Sequence, residues 1–141
     1  MLECLIIGDS IAVGTKMFSH KNCASYAHVG YNSHQWNQRY SHADLSANIV
    51  VISLGSNDGK SIDSEHEMRN LRQRIKGKRV FWILPHGNNP KGGVSVSYID
   101  SIVRKIANEN GDTIIPIKSV QPDKVHPIGH EYEKIAKRAG I

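Results

Sequence analysis

The chain has 141 residues, of which 39% are hydrophobic and 22% are charged, and its formal net charge is +5. This length predicts a single domain over residues 1–141, and no apolar run approaches the ~20 residues that would span a bilayer. The positive charges are scattered and not interleaved with aromatic side chains, so nucleic-acid binding is not predicted.

The first predicted element is a buried strand over residues 2–7. It lies in the stretch MLECLIIGDS, which has neither a basic leader nor a small-residue cleavage site. We therefore expect a cytoplasmic protein, or one that is exported or carried on a virion by a route not visible in the sequence. Cys4 and Cys23 are too few for a disulfide framework, and they are predicted to be buried thiols in a reducing compartment.

Strand-like and helix-like segments alternate along the chain. The later strands are predicted at 25–29, 48–54, 79–84 and 113–117, and Pro116 places the last at a sheet edge. Helices are predicted at about 11–19, 33–41, 64–76, 95–108 and 128–139. A capping box of Ser64 and Glu67 begins the third helix, and Gly77 ends it. This alternation predicts an α/β fold whose parallel sheet is covered on both faces and binds ligands beyond the carboxyl ends of its strands.

The stretch LIIGDSIAVG places Ser10 directly after the first strand. It is not a Walker phosphate loop, because Gly8 and Gly14 enclose five residues instead of four and no Lys-Ser/Thr pair follows. It also differs from the nucleophile elbow of α/β-hydrolases, which lies after several strands. Taken alone, the stretch leaves open an ordinary helix cap by Asp9 or Ser10.

Polar residues follow the other strands as well. Gly30 follows the second strand, GSND (55–58) the third, and PDKVHP (122–127) the fifth. An acyl-transfer site needs a nucleophile, a base, a residue that orients the base, and donors to the oxyanion. The candidates for the first three roles are Ser10, His126 and Asp123. The candidate donors are the backbone N–H groups of Ser10 and Gly30 and the side-chain amide of Asn57.

These four blocks, in this order, resemble those of the SGNH hydrolases, also called GDSL esterases and lipases. GDSIAVG resembles the first block, with Ile11 in place of Leu; Gly30, GSND and DKVHP resemble the other three. The resemblance covers residues 8–126 and implies a three-layer αβα flavodoxin-like fold with a five-stranded parallel sheet in the order 2-1-3-4-5. It also implies a serine esterase that acts through an acyl-enzyme without a cofactor. The chain is compact beside many relatives, so the family's larger substrate-binding insertions are expected to be missing.

The predicted reaction is removal of a short acyl group, acetyl first, from a carbohydrate-like or other small polar ester. The expected partner is therefore a small-molecule or glycan ester, and the oligomeric state is not predicted. Two alternatives stay open: a lysophospholipase or thioesterase that acts on longer acyl chains, and a glycan-binding scaffold without catalysis.

Asp9, His86 and Asn88 are the candidates for substrate binding. His86 and Asn88 lie in PHGNNPKGG (85–93), the longest irregular stretch, whose composition is equally typical of turns. No metal site is predicted, because Pro127 and Gly129 separate His126 from His130 and no acidic cluster completes a ligand set.

Overall fold

The computed structural model describes residues 1–87 and 93–141, along which strands and helices alternate. The strands are β1 (Leu2–Gly8), β2 (Ala24–Ala27), β3 (Ser46–Ser53), β4 (Lys76–Ile83) and β5 (Thr113–Ile115). The helices are α1 (Ser10–Met17), α2 (Ser33–Arg39), α3 (Ser64–Arg74), α4 (Val96–Asn110) and α5 (Gly129–Arg138). No helix in these described ranges is long and apolar enough to cross a membrane.

The five strands form one parallel sheet in the order β2-β1-β3-β4-β5. This confirms the predicted sheet and its order. β5 lies at one edge and ends directly before Pro116, which has no N–H to donate to a further ladder. Because all strands run in the same direction, the loops that follow them meet at one end of the sheet.

Both faces of the sheet are buried, since successive side chains of a strand point to opposite sides. Leu5 and Ile7 of β1 pack in the cluster that includes buried residues of α2, α3 and α4. Cys4 and Ile6 pack in a second cluster with buried residues of α1 and α5. The architecture is therefore the predicted three-layer αβα arrangement.

Cys4 and Cys23 form a disulfide, so the prediction of two free thiols is wrong. Leu5 pairs with Ala24 in the β1–β2 ladder, which places the preceding residues, Cys4 and Cys23, side by side. Their Cα atoms are 4.8 Å apart, within the usual range for a disulfide. The pairing follows from the register of two strands, which the spacing of the cysteines along the chain does not reveal.

The third helix begins at Ser64 as predicted, but its predicted capping box and its predicted stop at Gly77 are wrong. Asp63, not Ser64, is the N-cap of α3, because its carboxylate accepts a hydrogen bond from the His66 backbone N–H at 3.2 Å. The helix ends at Arg74, and the extended backbone of its C-cap, Ile75, leads directly into β4, so Gly77 lies within a strand. A helix that passes into a strand without a turn needs no glycine to end it.

Candidate active site

Ser10 is the first residue of α1 and lies just beyond the carboxyl end of β1. The strand ends at Gly8, whose φ of +140° favours glycine. A Cβ at this position would lie 1.8 Å from the carbonyl oxygen of Ser53, so no other residue fits between β1 and β3. The Asp9 N–H then donates to that same oxygen at 2.9 Å, which fixes the turn that presents Ser10.

The Ser10 side chain contacts His126, which is 116 residues away in the sequence. Ser10 Oγ lies 2.8 Å from His126 Nε2, and His126 Nδ1 lies 2.6 Å from Asp123 Oδ2. The carboxylate accepts hydrogen bonds, so Nδ1 carries the proton and Nε2 is left to accept from the Ser10 hydroxyl. The structure therefore brings together the three residues predicted as nucleophile, base and orienting acid.

Hydrogen bonds hold the pKa of the Asp123 carboxyl at about 2, well below its usual range. The largest cause is the Val125 backbone N–H, followed by the backbone N–H and the ring of His126. All of these bonds favour the charged form of the carboxyl. Asp123 thus stays ionised, and continues to orient His126, at any pH above strong acid.

The loop that presents Asp123 and His126 closes on itself through its backbone. The Lys124 N–H donates to the Gln121 carbonyl at 2.9 Å, and the Gln121 N–H donates to the His126 carbonyl at 2.8 Å. Lys124 has a φ of +62°, an uncommon conformation for a residue with a side chain. This tight turn is what lets two side chains three residues apart point at each other.

Glu131 anchors the start of this loop, a role that the sequence analysis missed. Its side chain is only 1% exposed, and Oε2 accepts hydrogen bonds from the backbone N–H groups of Lys118 and Ser119. Glu131 lies in the first turn of α5, where an acidic residue is also favoured by the helix dipole. An acidic residue in the first turn of a helix is common for this reason alone, so the sequence did not indicate that Glu131 anchors the loop.

The side chain of Asp9, a predicted substrate-binding residue, is fully buried at 0% exposure, which does not favour that role. It caps α1: Oδ1 accepts hydrogen bonds from the Ile11 N–H at 3.0 Å and the Ser53 hydroxyl at 3.2 Å. Oδ2 is buried without a partner among the described residues. Burial raises the pKa of this carboxyl to about 7 despite those bonds.

Gly30 and Asn57, the predicted oxyanion donors, lie on loops that are joined by a hydrogen bond. Asn57 Nδ2 donates to the carbonyl of Tyr31, the residue after Gly30, at 3.1 Å. An amide nitrogen carries two N–H groups, so Asn57 keeps a second donor. Gly30 is exposed, and its φ of +82° is one that glycine adopts without strain.

Asp58 holds the loop of Asn57 in place, which the sequence analysis also did not predict. It is fully buried, and Oδ1 accepts a hydrogen bond from the Ser33 N–H at 2.8 Å. Oδ2 accepts from the hydroxyls of Ser33 and Ser64 at 2.7 and 2.6 Å. One carboxylate thereby joins the loop after β3 to the first residues of α2 and α3. The GSND block contained Asp58, but its partners are set by the fold.

The remaining candidates, His86 and Asn88, follow β4 in the sequence. His86 is partly buried beside the loop that presents Asp123 and His126. Its Nδ1 lies 2.6 Å from the Lys124 carbonyl oxygen and donates a hydrogen bond to it. Its role in substrate binding stays a prediction. Asn88 lies outside the described residues. Within the described ranges no three His, Cys, Asp or Glu side chains are grouped as metal ligands.

No family model matches the sequence, and no curated protein is significantly similar to it. Solved structures do share its fold. A GDSL-like lipase from Bacteroides thetaiotaomicron is 17% identical and superimposes with a TM-score of 0.71 over 97% of this chain and 86% of that one. A member of the lipolytic protein G-D-S-L family from Veillonella parvula has a TM-score of 0.66 at 14% identity, with 99% and 96% of the two chains covered.

A third similar structure is a carbohydrate acetylesterase family member from Sinorhizobium meliloti. It is 15% identical, with a TM-score of 0.60 over 97% of this chain and 94% of that one. At these identities the likeness shows the fold. The chain therefore has the fold of GDSL-like lipases and esterases, over nearly its full length.

Proposed function

We propose that this chain is a serine ester hydrolase of the SGNH family and that Ser10, His126 and Asp123 are its catalytic triad. The observation that supports the proposal is the unbroken path of hydrogen bonds from Ser10 Oγ to His126 and on to Asp123. Residues from the first and last loops of the sheet meet in the geometry that activates a hydroxyl group.

The reaction follows from that geometry. His126 Nε2 takes the Ser10 hydroxyl proton while Oγ forms a bond to the ester carbonyl carbon and the carbonyl oxygen becomes an oxyanion. The oxyanion is stabilised by the backbone N–H groups of Ser10 and Gly30 and by the Asn57 amide. The C–O bond to the alcohol then breaks, and the alcohol leaves with the proton from Nε2.

Water completes the cycle. His126 Nε2 takes a proton from the water molecule while its oxygen bonds to the acyl carbon. The bond to Ser10 Oγ then breaks, Oγ regains the proton from Nε2, and a carboxylic acid is released. Asp123 stabilises the imidazolium formed in each half of the cycle without itself being protonated.

The preferred substrate in this proposal carries a short acyl group, acetyl first, on a polar alcohol. The triad lies at the surface, since the side chains of His126 and Asp123 are 37% and 46% exposed. An octanoyl chain held at such a site would leave methylenes in water, and each would forgo about 0.8 kcal/mol of burial. The shared fold with a carbohydrate acetylesterase family member agrees with this substrate class.

The disulfide favours an oxidising compartment for the protein, in place of the reducing one expected from the sequence. The Cys4–Cys23 bond lies in the core and joins β1 to the residue before β2, and both cysteines are 2% exposed. Disulfides persist in exported and surface proteins and are rare where thiols are kept reduced. The compartment inferred from the disulfide does not depend on the proposed esterase function.

A fluorophosphonate probe and a series of p-nitrophenyl esters test the function together. We expect one adduct per chain, located at Ser10 by peptide mass spectrometry, and kcat/KM highest for acetate or propionate. Ser10→Ala removes both labelling and hydrolysis, whereas Ser101→Ala, on the exposed face of α4, retains both. Labelling at another residue would disprove the serine mechanism. A steady rise of kcat/KM from acetate to octanoate would favour the lysophospholipase or thioesterase alternative, and unlabelled but glycan-binding protein would favour the non-catalytic one.

A further inference from the structure

A four-residue turn with Val29 and Gly30 at its centre lies between β2 and α2. The Tyr31 N–H closes it by donating to the His28 carbonyl at 3.4 Å. Gly30 has a φ of +82°, and in the described ranges Lys124 is the only residue other than glycine with a positive φ, so the turn is of type II. The closing bond uses the Tyr31 N–H and leaves that of Gly30, a proposed oxyanion donor, outside it.

Both ends of this turn are tied to other parts of the proposed site. The His28 N–H donates to the Gly8 carbonyl at 3.0 Å, and Gly8 is two residues before Ser10. At the other end, the Tyr31 carbonyl accepts the hydrogen bond from Asn57 Nδ2 at 3.1 Å. The turn therefore connects the segment of the proposed nucleophile to the loop of Asn57.

The middle of the turn has little packing of its own. Val29 is 64% exposed, and a Cβ at Gly30 would meet no atom within 4 Å. Turns of types I and II differ mainly by a rotation of the peptide between the two central residues, and glycine tolerates both orientations. Rotation of this peptide would turn the Gly30 N–H away from the direction that it has in the structure.

The side chain of His28 opposes that rotation. Its Nδ1 lies 3.0 Å from the Val29 carbonyl oxygen, and because a carbonyl only accepts, Nδ1 carries a proton and donates it. The Val29 carbonyl and the Gly30 N–H belong to one planar trans peptide and point in opposite directions, so a bond that holds the oxygen also aims the N–H. The His28 ring in turn stacks on Tyr31, with 4.0 Å between centroids, and Tyr31 packs against the core.

We propose that His28 is a positioning residue, which holds the Val29–Gly30 peptide in the orientation that offers the Gly30 N–H to the oxyanion. The proposal rests on the esterase function proposed above. His28 acts through Gly30 and not through contact with the ester. Its effect is therefore expected in the transition state, where the charge on the oxyanion is largest, and much less in the binding of the ester.

Substitution of His28 tests this role by kinetics. His28→Ala should lower kcat for p-nitrophenyl acetate about tenfold with KM nearly unchanged, as expected for the loss of one hydrogen bond and one ring stack. His28→Phe keeps the ring without the donor and should lose less activity. His42→Ala, at an exposed position after α2, is the control and should leave both constants unchanged. A raised KM with unchanged kcat in His28→Ala would make His28 a contact of the bound ester and overturn the proposal.

Gly30→Ala tests whether His28 acts through this peptide. Alanine disfavours a φ of +82° but meets no steric obstacle, so this substitution should rotate the peptide and lower kcat. In His28→Ala/Gly30→Ala, kcat should be close to that of Gly30→Ala alone, because both substitutions act on the same peptide. If the two effects multiply instead, His28 acts elsewhere and the proposal is wrong.

Proton NMR tests the position of the peptide whether or not the protein hydrolyses esters. In a type II turn the Val29 Hα lies close to the Gly30 N–H and gives a strong nuclear Overhauser effect, which weakens when the peptide rotates. The effect should be strong in the wild type and in His42→Ala, and weaker in His28→Ala. An unchanged effect with unchanged kcat in His28→Ala would disprove the positioning role and leave the esterase function intact. A weakened effect in a protein without hydrolytic activity would support the hold on the peptide and refute the esterase function.

Discussion

The two aspartates beside Ser10 and His126, the proposed nucleophile and base, have opposite environments. Asp9 precedes Ser10 and is fully buried, and burial raises the pKa of its carboxyl to about 7. Asp123 lies near the surface, and backbone hydrogen bonds lower the pKa of its carboxyl to about 2. Desolvation therefore dominates at the first residue and hydrogen bonding at the second.

The contrast extends to the two regions that these residues belong to. The turn with Ser10 is fixed by the sheet itself, because Gly8 and Asp9 are pressed against Ser53 of β3. The loop with Asp123 and His126 lies outside the sheet and is fixed by its own backbone hydrogen bonds and by buried Glu131. We conclude that the position of Ser10, the proposed nucleophile, depends on the core, whereas the position of His126, the proposed base, depends on local hydrogen bonds.

Asp123→Asn should produce the largest effect on activity. The asparagine amide would donate to His126 Nδ1 and place the imidazole proton on Nε2, where it prevents proton transfer from Ser10. We expect kcat to fall by about 10⁴, as in other triads, with little change in the melting temperature because the site is exposed. Asp100→Asn, which breaks an exposed ion pair with Arg104, serves as the control. Near-normal kcat in Asp123→Asn would show that another group orients His126.

Asn57→Ala tests the proposed oxyanion donors and should have a smaller effect on kcat than Asp123→Asn. Loss of one oxyanion donor should lower kcat by ~10²–10³ with a smaller change in KM, because the charge it stabilises is largest in the transition state. The matched control is Asn70→Ala on α3, whose exposed side chain forms a hydrogen bond with the ring of His66. A raised KM with unchanged kcat would instead make Asn57 a contact of the bound substrate.

Asp9→Asn should reveal the buried carboxyl through the pH dependence of stability. The folded-state pKa of about 7 lies above the ordinary value of 3.8, so the folded protein retains a proton that the unfolded chain has lost between these two pH values. The contribution of Asp9 to the free energy of unfolding is therefore highest below pH 4 and falls as pH rises to 7. The total loss is on the order of 4 kcal/mol.

Asparagine keeps the capping acceptor but has no proton to lose. The stability of Asp9→Asn relative to wild type should thus increase between pH 4 and 7, measured by urea unfolding. Asp63→Asn, at the exposed N-cap of α3, is the control. Its plot of the free energy of unfolding against pH should run parallel to that of the wild type between pH 4 and 7. Parallel curves for Asp9→Asn as well would mean that Asp9 is ionised in the folded protein.

The sequence by itself determined the alternation of strands and helices, the parallel sheet and the three residues that meet in the proposed triad. These follow from local patterns: an apolar run such as NIVVISL (48–54) buries on both faces, and polar blocks at strand ends converge because parallel strands end at one edge. The order of the strands was predicted from the resemblance of those blocks to the SGNH hydrolases.

Only the tertiary structure decided which groups are buried and what they contact. The sequence predicted Asp9 at the substrate and Cys4 as a free thiol, yet packing of β1 against β3 buries Asp9, and the register of β1 with β2 pairs Cys4 with Cys23. The anchoring roles of Asp58 and Glu131 likewise depend on partners brought close by the fold. Residue type and spacing report on local conformation, whereas burial and hydrogen-bond partners depend on contacts between segments distant in the chain.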